Sequence, residues 1–233
     1  MKLSVVIPAH NEEGQISSIV NKIYVELKNK HISHEILVIN DNSSDNTKQI
    51  LQQLSKKISS LKFITKSAPN GFGLAVKKGL ENFKGEYVVI MMADESDSVK
   101  DLIAYYKELE NGNDCVFGSR FIKGSKIVNY PKFKLLFNRL TNYFIKTMFH
   151  LKTNDITNAF KGYHKNVIKT IQPFISDGFE LTAEIPLKAI INGFSYKIIP
   201  ISWKNRKKGV SKLRILKEGK NYIRIILKLK FNS

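Results

Sequence analysis

Along the first hundred residues, short apolar runs alternate with segments whose apolar residues recur at helical spacing. Residues 3–7 form an apolar run that ends at Pro8, and residues 16–27 carry Ile16, Ile19, Val20, Ile23 and Leu27 on one helical face. Residues 35–39 and 62–65 read as further strands, with helices over 46–54 and about 73–83. Residues 87–92 are apolar throughout, as expected of a central parallel strand buried on both faces. This β-α-β-α-β-α-β order predicts an α/β fold: an open, mostly parallel sheet with helices on both faces. Ligands of such sheets bind at the carboxyl ends of the strands, so the loops after Ile7, Ile39, Thr65 and Met92 are where chemistry is expected.

The second half has a different rhythm. Val116 and Phe117 continue the sheet, and residues 196–203 read as a late strand. Residues 132–149 and 213–229 read as basic amphipathic helices. In the first of these, Phe133, Leu136, Phe137, Leu140, Phe144 and Met148 share a face flanked by Lys134, Arg139 and Lys146. In the second, Lys217, Lys220, Arg224 and Lys228 gather on one side. No repeat and no Gly-, Ser- or Pro-rich linker divides the chain. We therefore expect one domain over residues 1–204, with a first half to about 115, a second half from 116, and a basic tail over 205–233.

At 233 residues and 42% hydrophobic content the chain has ample material for a core. The single cysteine, Cys115, excludes an internal disulfide and a cysteine-cluster metal site. No targeting segment is visible, and no window reaches the roughly 20 apolar residues of a spanning helix. These features predict a cytoplasmic protein able to lie on a membrane without crossing it. Charge sharpens that expectation. The net charge is +18, and eight basic residues with no acid fall between Arg120 and Lys152. Another eleven, with Glu218 as the one acid, fall between Lys204 and Lys230. Such a surface calls for an anionic partner, whether nucleic acid, anionic lipid or a phosphorylated substrate. Nucleic acid is not expected, because aromatics are not interleaved with the basic residues as in nucleic-acid-binding modules.

Four strand-end loops carry polar groups: Pro8-Ala9-His10-Asn11-Glu12-Glu13, Asn40-Asp41-Asn42-Ser43-Ser44-Asp45, Asn70-Gly71-Phe72-Gly73-Leu74-Ala75 and Ala93-Asp94-Glu95-Ser96-Asp97. Each alone reads equally well as a helix cap or a tight turn. Four in succession along one sheet edge argue for a binding site.

The order and spacing of these loops resemble the inverting family 2 glycosyltransferases. Three later motifs resemble the dolichol-phosphate mannosyltransferase-like branch: Phe117-Gly118-Ser119-Arg120-Phe121, Asp155-Ile156-Thr157-Asn158-Ala159-Phe160-Lys161 and Arg206-Lys207-Lys208-Gly209-Val210-Ser211-Lys212. The resemblance implies a nucleotide-diphospho-sugar transferase (GT-A type) fold. It implies transfer of a hexose, mannose or glucose, from a nucleotide-diphosphate sugar to a polyprenyl or dolichyl phosphate at a membrane surface. It also implies a peripheral location on the cytoplasmic face and leaves room for a separate membrane-spanning partner.

Carried onto this sequence, the resemblance assigns donor binding to Pro8, His10, Glu12, Ile39, Asp41, Ala93, Asp94, Ser96, Arg206 and Lys212. It assigns the acceptor phosphate to Arg120, Lys134 and Asn138, a Mg²⁺ or Mn²⁺ ion to Asp94 and Ser96, and the catalytic centre to Asp94 and Arg120. The chain departs from the family pattern at four positions. Asn40 replaces a first aspartate, His10 an aromatic residue, Met92 the first acid of the Asp-x-Asp metal motif, and Ser96 a glutamine.

Transfer to a saccharide hydroxyl in cell-surface polysaccharide synthesis is the alternative activity. It needs a carboxylate to take the hydroxyl proton, and Asp155, Asp177, Glu180 and Glu184 are the candidates. A catalytically weak scaffold, suggested by Met92, and a basic nucleic-acid-binding protein are the readings outside enzymology.

Overall fold

The computed structural model describes residues 1–205 and 215–231. Strands β1 (Leu3–Ala9), β2 (His34–Asp41), β3 (Leu61–Lys66) and β4 (Tyr87–Ile90) are joined by helices α1 (Ile16–Asn29), α2 (Thr47–Ser55) and α3 (Phe72–Asn82). Helix α4 (Val99–Glu110) leads to β5 (Cys115–Ser119), β6 (Lys126–Val128) and α5 (Lys132–Met148). Then follow β7 (Lys161–His164), α6 (Lys165–Thr170), α7 (Leu181–Ile191), β8 (Tyr196–Pro200), β9 (Ser202–Lys204) and α8 (Ile215–Phe231).

Seven strands form one sheet in the order β3-β2-β1-β4-β7-β5-β8. The expected open, mostly parallel sheet is present, with one exception: β7 runs antiparallel to both β4 and β5. Because it runs backwards, its entry segment, residues 155–160, arrives at the edge where β1, β4 and β5 end. That reversal brings Asp155 and Asn158 beside the strand-end loops of the first half.

Alternation along the strands divides the core into two layers. Leu3, Val5 and Ile7 pack with α1 and α4 on one face. Val6, Leu37 and Ile39 pack with α3 and α7 on the other. Helix α3 lies so close to the sheet that a Cβ on Gly79 would overlap the Val6 side chain. The expected late strand is split at Ile201 into β8, which closes the sheet, and β9, which pairs in parallel with β6 in a separate ribbon. That ribbon carries Trp203 over the sheet edge, where its ring lies 4.6 Å from that of Tyr130.

Helix α5 does not bury the broad apolar face that its sequence displays. Among its residues only Asn142 and Ile145 are buried. Phe133, Leu136, Leu140, Tyr143 and Phe144 are exposed by 41–69%. No helix among the described residues is long and apolar enough to cross a membrane.

Candidate active site

One cavity of about 690 Å³ opens along the carboxyl edge of the sheet, within the range of small-ligand sites. Its walls bring together Pro8, His10, Glu12, Asp41, Asp94, Ser96, Arg120, Lys134 and Asn138, nine of the residues singled out by sequence. Two others stay out. Ile39 and Ala93 are buried and line no part of it; Ile39 points into the core beneath α3. Adjacent strand residues face opposite ways, so Ile39 is turned from the loop that its neighbours build. Arg206 and Lys212 lie outside the described residues.

The loops after β1 and β2 are laced together. The backbone N–H groups of Asn11, Glu12 and Glu13 donate to Ser43, Thr47 and Asp45 at 2.9–3.0 Å. In return, Ser44 and Asn46 donate to the side chains of Asn11 and Glu13. Asn11 and Asn42 hold φ values of 54° and 51°, a left-handed conformation that asparagine tolerates. Much of the polarity of these loops is therefore scaffolding. Burial disfavours charge on Asp45, yet hydrogen bonds led by Thr47 hold its carboxyl below the ordinary aspartate value. Left facing the cavity are His10, whose Nδ1 lies 2.7 Å from the Asp41 carbonyl, Glu12, and Asp41 itself. The Asp41 carboxylate accepts the Gly71 N–H at 2.8 Å and pairs with Lys66 at 3.1 Å.

The glycines of Asn70-Gly71-Phe72-Gly73 are required by proximity. A Cβ on Gly73 would stand 2.6 Å from the Asp177 carbonyl carbon, and one on Gly71 2.8 Å from its oxygen. The start of α3 thus presses against the turn before α7, and Phe72 stacks on Phe179 at 4.6 Å. That turn is anchored from behind by Glu184, which is fully buried and accepts the N–H groups of Ile175 and Ser176.

After β4 the chain makes a tight turn in which Glu95 takes φ 58°, a strained value of the kind that clusters at functional sites. Asp94, Ser96 and Asp97 are each at most 6% exposed. Asp94 accepts the Ser96 N–H at 3.0 Å, and Asp97 accepts the Met92 N–H at 3.2 Å. Burial and the neighbouring Asp94 push the Asp97 carboxyl up to about 7. No three His, Cys, Asp or Glu side chains converge to hold a metal among the described residues. Two adjoining buried carboxylates and a serine hydroxyl nonetheless make an all-oxygen donor set. Such a set suits Mg²⁺ or Mn²⁺ when a bound diphosphate supplies further oxygens.

Across the cavity, Arg120 is 7% exposed and fixed by Asp155. Its Nε and one terminal nitrogen each bond the carboxylate at 2.7 Å, and its other terminal nitrogen reaches the Tyr130 hydroxyl at 3.3 Å. Burial opposes the guanidinium charge, but Asp155 raises its pKa above the ordinary arginine value. Three of five N–H donors are engaged, which leaves two for a ligand. Asn138 donates to Thr157 at 3.0 Å, joining α5 to the segment before β7. The fully buried Lys161 ammonium donates to the carbonyls of Asn158 and Thr182, and burial lowers its pKa to about 7. Tyr130, Phe179, Trp203 and Tyr222 also line the cavity, and sequence reasoning had not picked them. The lone tryptophan carried the only visible signal.

Comparison with known proteins bears on this arrangement. The sequence model of glycosyl transferase family 2 matches residues 4–172, more than half of the chain. A dolichol-phosphate mannosyltransferase of Pyrococcus furiosus is 29% identical over 219 residues, covering 92% of this chain and 60% of that protein. The chain thus spans about three fifths of that relative's length. A polyprenol monophosphomannose synthase of Mycolicibacterium smegmatis is 27% identical over 215 residues, covering 90% of this chain and 80% of that one. Among solved structures, a glucosyl-3-phosphoglycerate synthase of Mycobacterium tuberculosis with Mn²⁺ and UDP-glucose superposes with a TM-score of 0.75 at 16% identity. It covers 98% of this chain and 79% of that one, a likeness of fold. The same enzyme with Mg²⁺ and UDP gives a TM-score of 0.72 at 17% identity, covering 98% and 79%.

Proposed function

The chain belongs to glycosyl transferase family 2, and on that footing we propose that it moves a hexose, mannose or glucose, from a nucleotide-diphosphate sugar to a polyprenyl phosphate at a membrane surface. One observation carries the acceptor half of this reading. Helix α5 lines the polar cavity with Lys134, Phe137, Asn138 and Thr141, while its neighbouring face exposes Phe133, Leu136, Leu140 and Phe144. A single helix joins the part of the cavity where Arg120 and Lys134 supply positive charge to an apolar outer surface. An acceptor with an anionic head and a hydrocarbon tail fits both at once. Basic residues along α5 and α8 suit an anionic lipid surface on the cytoplasmic face.

The donor would lie with its nucleoside against Pro8, His10, Glu12 and Asp41, where the carboxylates accept hydrogen bonds from N–H and O–H groups. Asp94 and Ser96, with Asp97 in place of the acid absent at Met92, would hold a divalent cation. When bound, that cation offsets the charge gathering on the departing diphosphate. Arg206 and Lys212 are proposed to add positive charge to the donor phosphate oxygens. The two remaining N–H groups of Arg120, the Lys134 ammonium and the Asn138 amide would orient the acceptor phosphate. One of its oxygens attacks the anomeric carbon opposite the leaving group. The bond from that carbon to the donor phosphate breaks with its electrons leaving on the nucleoside diphosphate, and the configuration inverts. The acceptor phosphate is already ionised near neutral pH, so no side chain has to remove a proton. Residues 1–204 are proposed as the transferase unit, the first half to about 115 for the donor, with 205–233 as its basic tail.

Lys134→Gln tests the acceptor assignment. The expected result is a KM for a short polyprenyl phosphate raised roughly 10-fold or more, from the loss of one charged contact, with donor affinity unchanged. An unchanged acceptor KM would refute it.

A further inference from the structure

Four carboxylates of residues 116–204 lie at or near the cavity, and three are committed; Glu218 of α8 lines it as well. Asp155 is bonded to Arg120, and Glu184 to two backbone N–H groups and Lys188. Asp177 is 65% exposed and paired with Lys77. Glu180 differs. It stands at the start of α7, lines the cavity and is 8% exposed. Its Oε1 accepts the Gly178 N–H at 3.1 Å, while its Oε2 is buried with no hydrogen-bond partner. Leaving such an oxygen unmatched destabilises a folded protein, so native structures rarely keep one without a use. That oxygen lies close over the Gly178 backbone, 2.5 Å from where a Cβ would stand.

The chemistry of this corner selects its ligand. An ionised carboxylate repels phosphate, so neither the diphosphate nor the acceptor headgroup belongs there. The nearby polar groups are already turned to each other: the Tyr222 hydroxyl lies 2.8 Å from the Phe179 carbonyl and 2.7 Å from the Thr182 hydroxyl. What the corner lacks is a neutral donor.

We propose that Glu180 recognises the sugar being transferred, its Oε2 accepting a hydrogen bond from one hydroxyl of the donor hexose. This rests on the nucleotide-sugar reading above and adds a specificity-determining residue to it. Glu180 is then a contact of the hexose and not the base of a hydroxyl-acceptor reaction.

Calorimetric titration of the full chain with UDP, GDP, UDP-glucose and GDP-mannose, in Mn²⁺, tests the assignment. In Glu180→Ala the preferred nucleotide sugar should bind roughly 10- to 100-fold more weakly, the range of one charged hydrogen bond, with Glu180→Gln between. The matching free nucleoside diphosphate should bind within about twofold of wild type in both variants, which also reports intact folding. A set of monodeoxy donors should contain one that wild type discriminates against and Glu180→Ala does not. Equal losses for diphosphate and sugar nucleotide would mark Glu180 as structural and overturn the proposal. Unchanged sugar-nucleotide affinity in Glu180→Ala would overturn it too. So would unchanged affinity in Glu180→Gln with turnover lost, the mark of a general base. Wild-type protein that binds free nucleotide but gains nothing from the sugar would overturn the inference alone. Wild-type protein that binds no nucleotide would overturn the donor reading and the inference with it.

Discussion

Replacing Asp155 by alanine isolates the ion pair that fixes Arg120 in the cavity wall. The carboxylate is 0% exposed and receives three hydrogen bonds from one residue: the Arg120 backbone N–H at 2.9 Å and two guanidinium nitrogens at 2.7 Å. Truncation leaves a guanidinium that is 7% exposed with its charge uncompensated. Breaking a buried pair in this way costs about 3–5 kcal/mol. For a domain of this size each kcal/mol lowers the melting temperature by roughly 2–4 °C, so Asp155→Ala should melt about 6–20 °C below wild type. Circular dichroism melts with matched scan rates measure this directly. The double variant Arg120→Met/Asp155→Leu should regain most of the loss, because an apolar pair of similar volume removes the stranded charge. It should remain inactive, since the two ligand-facing N–H groups are gone. A melting temperature within about 2 °C of wild type for Asp155→Ala would show that the pair does not bear on folding as argued.

Three further outcomes follow from the same geometry. Gly73→Ala should destabilise the fold by about 1–3 kcal/mol, since the new methyl meets the 177–178 backbone; an unchanged denaturation midpoint would show that the turn yields freely. Lys161 has its pKa lowered by burial from 10.5 to about 7, so between pH 7 and about 10 the unfolded chain binds the extra proton. Stability should therefore rise with pH across that window in wild type relative to Lys161→Met, and parallel stability–pH curves would contradict it. Combined Phe133→Ser, Leu136→Ser and Leu140→Ser should leave stability within about 0.5 kcal/mol, the sites being exposed by 56–66%. Sedimentation with anionic vesicles should fall, and unimpaired vesicle binding would remove α5 from the proposed membrane contact.

The alternating half of the fold was readable in the sequence because its strands are apolar runs and α1 to α3 each carry one buried stripe. Helix α7 escaped because it is buried nearly all round, Pro186 and Glu184 included, so no periodicity marks it. Strand β7 escaped because Lys161 and Gly162 hold central positions that composition would assign to a loop. Its antiparallel course is what carries Asp155 to Arg120, so the most buried ion pair of the site was invisible without the sheet order. Local motifs located the cavity wall built by the loops after β1, β2, β3 and β4, since each polar cluster follows its own strand. The isolation of Glu180 and the exposed face of α5 depend on contacts between segments far apart in sequence. For α5 the periodicity established an amphipathic helix but did not say which surface its apolar stripe would meet.

The central claim is transfer to a lipid phosphate, and the most direct measurement follows the label. The protein is incubated with membranes, a panel of radiolabelled GDP- and UDP-sugars, and either a polyprenyl phosphate or the corresponding unphosphorylated polyprenol. The account predicts label in an organic-extractable, acid-labile lipid that depends on the phosphate. Label found only in water-soluble glycan, or transferred equally well to the polyprenol, would contradict it.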